Sequence, residues 1–499
     1  MFDGEVQQLT WTHRLCYDTE KDREDPDMNT MENKVDAWIA AHREEMVQEL
    51  MDWTAIPSVS RADLCDTENK APYGPDCRRM LDYALERGKA YGFRAEDHDG
   101  YCGSLYYGDS ADEIGFVAHL DVVPEGGGWI YAPYEPVVKD GFMIGRGCDD
   151  NKSSGVIGLF LMRFLKENGI KMKKTFRLMM GCAEETGMAD FRHSQEAGGK
   201  VPALSIVADC GFPVCYAQKG GWNADIRIPA GRCITSFEAG NVRNAIPDYA
   251  EIVLQDVDAG KFTAALSAYE YLTIEKQENM LKVSAKGKGG HAASPEGTKD
   301  AIVLLAKAFT ESGLTAEYDL CGLEFIANTF ATPYGDGMGF ACEDDISGKL
   351  TSNIGVIHYA DGGLLTKLGV RYPVKADINA MTERFKAYLQ ENQVELLDLD
   401  IEKPFYIEPD DPKVLALQKI YTDVTGDVKE PYTMGGGTYS RVIPNAISFG
   451  GGLSAPKPDF LPEGHGSCHG PDEVKHSETW LKAFKIYVLS ILALDQLDF

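Results

Sequence analysis

Five short stretches of the sequence set acids and histidines where chain geometry can bring them to one point. Residues 116–124, FVAHLDVVP, form an apolar run that ends by presenting His119 and Asp121. Residues two apart in a strand point to the same side. Asp121 can therefore accept the second imidazole N–H of His119, fixing its tautomer and raising its basicity as a zinc ligand. Taken alone, the pair reads as readily as a strand-end histidine beside a capping aspartate. Residues 145–152, GRGCDDNK, set Asp149 and Asp150 between a strand pattern and a helix starting near Ser153. Acids there often only cap the helix, but α/β folds place ligands beside the carboxyl ends of strands, and a two-metal site requires a bridging carboxylate.

The third stretch, CAEETG at 182–187, again follows an apolar strand and precedes a helix. Adjacent side chains diverge, so one glutamate can bind metal while its neighbour holds a water as general base. The plain alternative is an acidic pair in a first helical turn, complementing the dipole. Asp209 ends another strand pattern in ADCG, and His469 lies in SCHGPDE near the C-terminus. Each stretch is weak by itself. Together they supply two histidines and three carboxylates, nearly all after strands of one sheet, a donor mix suited to zinc or a similar divalent ion.

The elements that must position these residues follow from periodicity. Strands are expected at 101–107, 113–123, 175–182 and 204–208, alternating with helices at 78–92, 153–167 and 187–196. That order predicts an α/β fold with a mostly parallel sheet flanked by helices. After Gly221 the texture changes to longer alternating stretches, predicting an inserted α+β domain over 216–403, and the chain then returns for a helix at 411–425, a strand at 446–450 and a helix at 478–494. The metal-binding domain thus comprises 31–215 and 404–499, consistent with a chain of 499 residues being too long for one growing core. Residues 1–30 show no clean period and are read as an extension, disordered or untranslated, with Met31 a candidate initiator.

Acidic residues total 78 against 49 basic ones, a net charge of -29, which argues against nucleic acid or an anionic membrane as partner and for a small molecule or metal. There is no apolar run of about 18 residues and no basic region followed by an apolar stretch at the N-terminus, so the cytoplasm is the expected compartment. Twelve cysteines are scattered without a CxxC pair and read as reduced thiols.

The motifs HLDVVP, GRGCDDNK, EETG, ADCGFP and CHGPDE resemble, in order and with comparable spacing from about Met31 onward, those of the di-zinc family containing carnosinases, aminoacylase, succinyl-diaminopimelate desuccinylase, the glutamate-releasing carboxypeptidase and the PepV-type dipeptidases. The resemblance implies a zinc-peptidase-like catalytic domain with two divalent ions, zinc first and manganese or cobalt as substitutes. By similarity, Asp150 bridges the metals, His119 and Asp209 complete one site, Glu185 and His469 complete the other, and Glu184 is the general base that activates a metal-bridged hydroxide. It also implies a cis peptide between Asp150 and Asn151, and an oxyanion-stabilising role for His291 in GKGGHAASP.

Three further matches resemble PepV-type elements: Asn244 in NAIP, Arg371 in GVRYPV, and the run GGGTYSR, whose Gly436, Gly437 and Thr438 are expected with Arg371 near the substrate carboxylate. The enlarged insertion resembles the PepV-type lid, implying a monomer that acts on small peptides, a dipeptidase. Ser153-Ser154 and Cys210-Gly211 depart from the family pattern without removing a ligand or the base. The alternatives are a related amidohydrolase, such as an aminoacylase or carboxypeptidase, or a non-catalytic binding protein that keeps the fold.

Overall fold

A computed structural model describes residues 26–499 of the chain, and the expected extension lies largely outside the described residues. The first helix begins at Pro26, so residues 26–30 continue the helix expected from Met31. It runs to Thr54 and packs with the helices Lys152–Glu167 and Ser477–Gln496 on one face of a nine-stranded sheet. Trp38 stacks on Phe484 with ring centroids 5.4 Å apart and meets Phe164 edge-on.

The strands Thr175–Gly181, Glu113–His119, Leu204–Val207 and Ala446–Phe449 lie side by side, all parallel, at the middle of that sheet. Its flanks pair antiparallel through Cys102–Tyr107 and Arg94–His98 on one side and through Val214–Gln218 and Phe405–Tyr406 on the other, where Tyr432–Met434 also joins Val214–Gln218 in parallel. The sheet is therefore mixed around a parallel core. Every residue of Glu113–His119 and Thr175–Gly181 is buried, as expected where helices cover both faces. Alternation divides the side chains between the two sides. Phe116, Leu178 and Ile206 join the large core beneath the three helices, while Val117, Met179 and Val207 pack with Phe191 and Tyr439 on the other face.

The inserted domain has its own eight-stranded sheet, antiparallel at every pairing from Leu272–Gln277 at one edge to Glu395–Glu402 at the other. Its strand Gly220–Pro229 alternates between buried and half-buried positions, the signature of a sheet with one packed and one wetter face. Helices Ala301–Glu311, Cys321–Thr329 and Ile378–Glu391 contribute to a hydrophobic core separate from that of the catalytic domain. The chain passes from one sheet to the other at Lys219 and returns between Glu402 and Phe405.

Candidate metal centre

The parallel strands deliver their C-terminal ends to one place. His119 ends its strand, the turn bearing Glu184 and Glu185 follows Thr175–Gly181, and Asp209 follows Leu204–Val207. The helix after the glutamate pair begins only at Ala189. That excludes the plain reading of a first-turn acidic pair.

Asp150 is the centre of the cluster. Its Oδ1 lies 2.9 Å from His119 Nε2 and its Oδ2 lies 3.1 Å from His469 Nε2. Around His119, Asp209 Oδ1 lies 3.8 Å from Nε2; around His469, Glu185 Oε1 lies 3.0 Å from Nε2. Two groups of candidate ligand atoms, His119 with Glu184 and Asp209, and His119 with Asp150 and Glu185, each fall within 4.8 Å of one another. The peptide between Asp150 and Asn151 is cis.

His119 Nδ1 lies 2.9 Å from the main-chain oxygen of Asp121. A carbonyl can only accept, so Nδ1 carries the hydrogen and the Nε2 lone pair faces the carboxylates. Between that lone pair and Asp150 Oδ1 there must be a proton or a cation. The Asp121 carboxylate does something other than expected. Its nearer oxygen is 3.5 Å from His119 Nδ1, whereas its two oxygens accept the main-chain N–H groups of Glu184 and Glu185, both at 3.1 Å. The carbonyl already satisfies the imidazole, and the two amide donors of the turn take the carboxylate.

The electrostatics follow from crowding five carboxylates around two imidazoles. Burial alone would lower His119, but Asp209, Asp121 and Asp150 outweigh it and raise it well above its ordinary value. Hydrogen bonds to Asp150 and Glu185 push His469 up to about 10. Burial and the charge of Asp209 hold Glu184 well above the carboxylate range, and burial, with Asp150 and Glu185 adding, lifts Asp209 to about 7. Asp150 goes the other way: burial opposes it, yet its bonds to His119 and His469 hold it below the usual range. Imidazole nitrogens, oxygen donors and a surplus of negative charge fit two divalent cations.

Several residues that support the cluster escaped the sequence reading. Glu473, fully buried, accepts the N–H groups of Gly147, Asp149 and Asp150 at 2.8 to 3.0 Å and pairs with Arg146 Nη1 at 2.7 Å. Asn151 donates to Ala208 O and to Asp209 Oδ1 and accepts from the His119 N–H, stitching two of the strand ends together. Glu473 sits inside the CHGPDE stretch, a signal that was present; Asn151 had only its place beside Asp150.

The expected substrate contacts are divided. Asn244 and His291 are neighbours on a short antiparallel pair, in which Ala245 faces His291 and the Ala292 N–H donates to Asn244 O at 2.9 Å. Asn353 braces that segment by donating to the carbonyls of Arg243 and Ala245. His291 is lowered by burial and by the charges of Arg371 and His469. Arg371 is largely buried, with Nη1 3.2 Å from Asn223 Oδ1.

In the glycine run, a Cβ at Gly435 would lie 2.6 Å from Ala293 Cβ, and one at Gly437 would lie 1.9 Å from the Arg441 guanidinium carbon. Gly436 alone of the three would take a Cβ without a clash, its nearest neighbour being Met434 at an ordinary contact distance of 3.8 Å. Thr438 is turned inward. Its N–H donates to Gln218 Oε1 and its hydroxyl joins Gln218, Ser440 and Ser448 in a buried network. Its N–H and hydroxyl are thus satisfied within the protein.

Comparison with known proteins gives a consistent picture. Residues 115–493 match the model of peptidase family M20/M25/M40. A "Putative dipeptidase" of Staphylococcus epidermidis is 29% identical over 482 residues, covering 91% of this chain and 98% of the relative. "Putative dipeptidase YtjP" of Bacillus subtilis is 27% identical over 469 residues, covering 91% and 97%. The crystal structure of human carnosine dipeptidase 1 superposes with a TM-score of 0.57 at 14% identity, covering 94% of this chain and 99% of that one. Among the described residues no helix is long and apolar enough to cross a membrane.

Proposed function

The chain belongs to peptidase family M20/M25/M40, and from that membership we propose that it is a dipeptidase that hydrolyses dipeptides bearing a free C-terminal carboxylate, with two zinc ions as cofactor. The observation that carries the reading is Asp150 facing two histidines at once, with Glu184 grouped beside one of them, His119. His119, Asp150 and Asp209 would hold one cation, and Asp150, Glu185 and His469 the other. When bound, the cations would polarise the scissile carbonyl and make water a stronger acid. The names of the bacterial relatives support a dipeptide substrate.

In this reading Glu184 accepts a proton from the attacking water and returns it to the leaving nitrogen. Asp121 fixes where that carboxylate sits by holding the amides of Glu184 and Glu185. His291, lowered by burial and by the charge of Arg371, donates to the oxygen that becomes negative in the transition state. Arg371 and the N–H of Gly436 receive the substrate carboxylate while Asn244 contacts the peptide. The inserted domain acts as a lid, and the protein works as a monomer in the cytoplasm.

Metal analysis combined with hydrolysis of free, N-acetylated and C-amidated dipeptides tests the proposal. Two metals per chain, turnover of free dipeptides well above that of the N-acetylated and C-amidated forms, and a loss of about 10²–10⁴-fold in Glu184→Ala are expected. Turnover of acetylated substrates but not free dipeptides overturns it in favour of an aminoacylase-like activity.

A further inference from the structure

The turn that carries Glu184 is held by four consecutive main-chain N–H groups. Asp121 takes those of Glu184 and Glu185. The other two, of Cys182 and Ala183, go to Asp190 Oδ2 at 2.7 and 2.9 Å. Asp190 is fully buried and touches no member of the histidine and carboxylate cluster through its side chain. Its second oxygen accepts the Phe191 N–H at 2.8 Å, and Tyr439 Oη donates to Oδ2 at 2.5 Å.

We propose that Asp190 and Tyr439 form a positioning pair for Glu184, tying the turn that bears the base to the glycine run that precedes Tyr439. The sequence makes room for this contact. A Cβ at Gly181 would lie 1.9 Å from Tyr439 Oη and 2.5 Å from Asp190 Oδ2, so only glycine lets the pair reach the strand end. The Tyr439 ring is pinned edge-on against Phe191 with centroids 4.6 Å apart. Its phenol remains a donor, because burial and Asp190 raise it well above the ordinary tyrosine value. Tyr439 is two residues from Gly437, so a shift of residues 435–437 around a bound carboxylate reaches Cys182 and Ala183 through one side chain and one carboxylate.

This inference rests on the dipeptidase reading for its effect on turnover, though its structural half stands apart. The test compares wild type, Tyr439→Phe, Asp190→Asn and the double variant for kcat and KM on the best free dipeptide, for thermal midpoint, and for amide hydrogen exchange over residues 182–185. Tyr439→Phe keeps the ring and removes one hydroxyl. It should lower kcat by about tenfold to a hundredfold through a small misplacement of the base, with KM within about twofold and faster exchange at 182–183. The double variant should lose no more than the worse single variant, as for groups acting as a unit.

Unchanged kcat and unchanged exchange in Tyr439→Phe overturn the proposal. So does a kcat loss that merely tracks a fallen folded fraction, or additive losses in the double variant. If Asp190→Asn does not fold, Tyr439→Phe alone decides. If wild type turns over no dipeptide, the functional reading fails while hydrogen exchange still decides the pair.

Discussion

The two oxygens of Asp150 serve different histidines: Oδ1 lies 2.9 Å from His119 Nε2, and Oδ2 lies 3.1 Å from His469 Nε2. One carboxylate thereby joins two strand-end motifs to a histidine near the end of the chain.

That sharing predicts unequal metal losses. Asp150→Asn should abolish uptake of both cations and with it turnover, whereas His469→Ala should leave one site loaded. Elemental analysis after gel filtration reads the stoichiometry. Equal losses in the two variants would show that Asp150 does not bridge.

Proton release should accompany loading. At pH 7 the metal-free protein keeps protons on His119, raised well above its ordinary value, and on His469, raised to about 10. A cation must displace them, so affinity should climb as pH rises toward that value. The raised His469 also stabilises the metal-free fold fully below its ordinary 6.5, a contribution lost as pH rises through about 10. Calorimetry in buffers of different ionisation enthalpy measures the release. Binding without proton uptake by the buffer would count against these assignments.

Glu473 should matter to stability before it matters to chemistry. Glu473→Gln removes the charge facing the buried Arg146 and one acceptor of the amides at 147, 149 and 150. Breaking a buried pair in this way costs about 3–5 kcal/mol. Urea unfolding of the metal-free protein should show it, and a midpoint equal to wild type would refute the clamp.

Arg371 should act on substrates selectively. Arg371→Ala should reduce kcat/KM for free dipeptides about thirtyfold, the effect of losing roughly 2 kcal/mol from a charge-assisted hydrogen bond. The slow turnover of C-amidated analogues should be unaffected. Equal losses on both would remove the carboxylate from its role.

The cluster was legible in part because three of its members sit at strand ends, where local pattern dictates place. His119, Glu184 and Asp209 each follow an apolar run that could only be a buried strand. What joins those ends was harder to read. Asp190 acts through the amides of a turn seven and eight residues before it and Glu473 through those of a turn more than 300 residues away, contacts that depend on how helices and loops pack and leave no period in the sequence. Nor does the sequence show that Gln218 and Ser448, on two neighbouring strands, supply hydrogen-bond partners for Thr438. The Asp121 carboxylate, expected on the imidazole, went to amides whose position only the folded turn defines.

The place where the inserted domain joins sets an order of events. In the catalytic sheet, the partners of Val214–Gln218 are Phe405–Tyr406, Tyr432–Met434 and Ala446–Phe449, all beyond the insertion. His469 follows Glu185 by 284 residues. The insertion is contiguous and can close its own sheet as it is synthesised, while the split domain must wait for distant segments. Hydrolytic competence is thus acquired late. Pulse-labelling during refolding should find the strand pair 351–360 and 363–372 protected before residues 214–218. The long interruption acts as a timer, keeping His469 from the other members of the cluster until nearly everything around them has hardened.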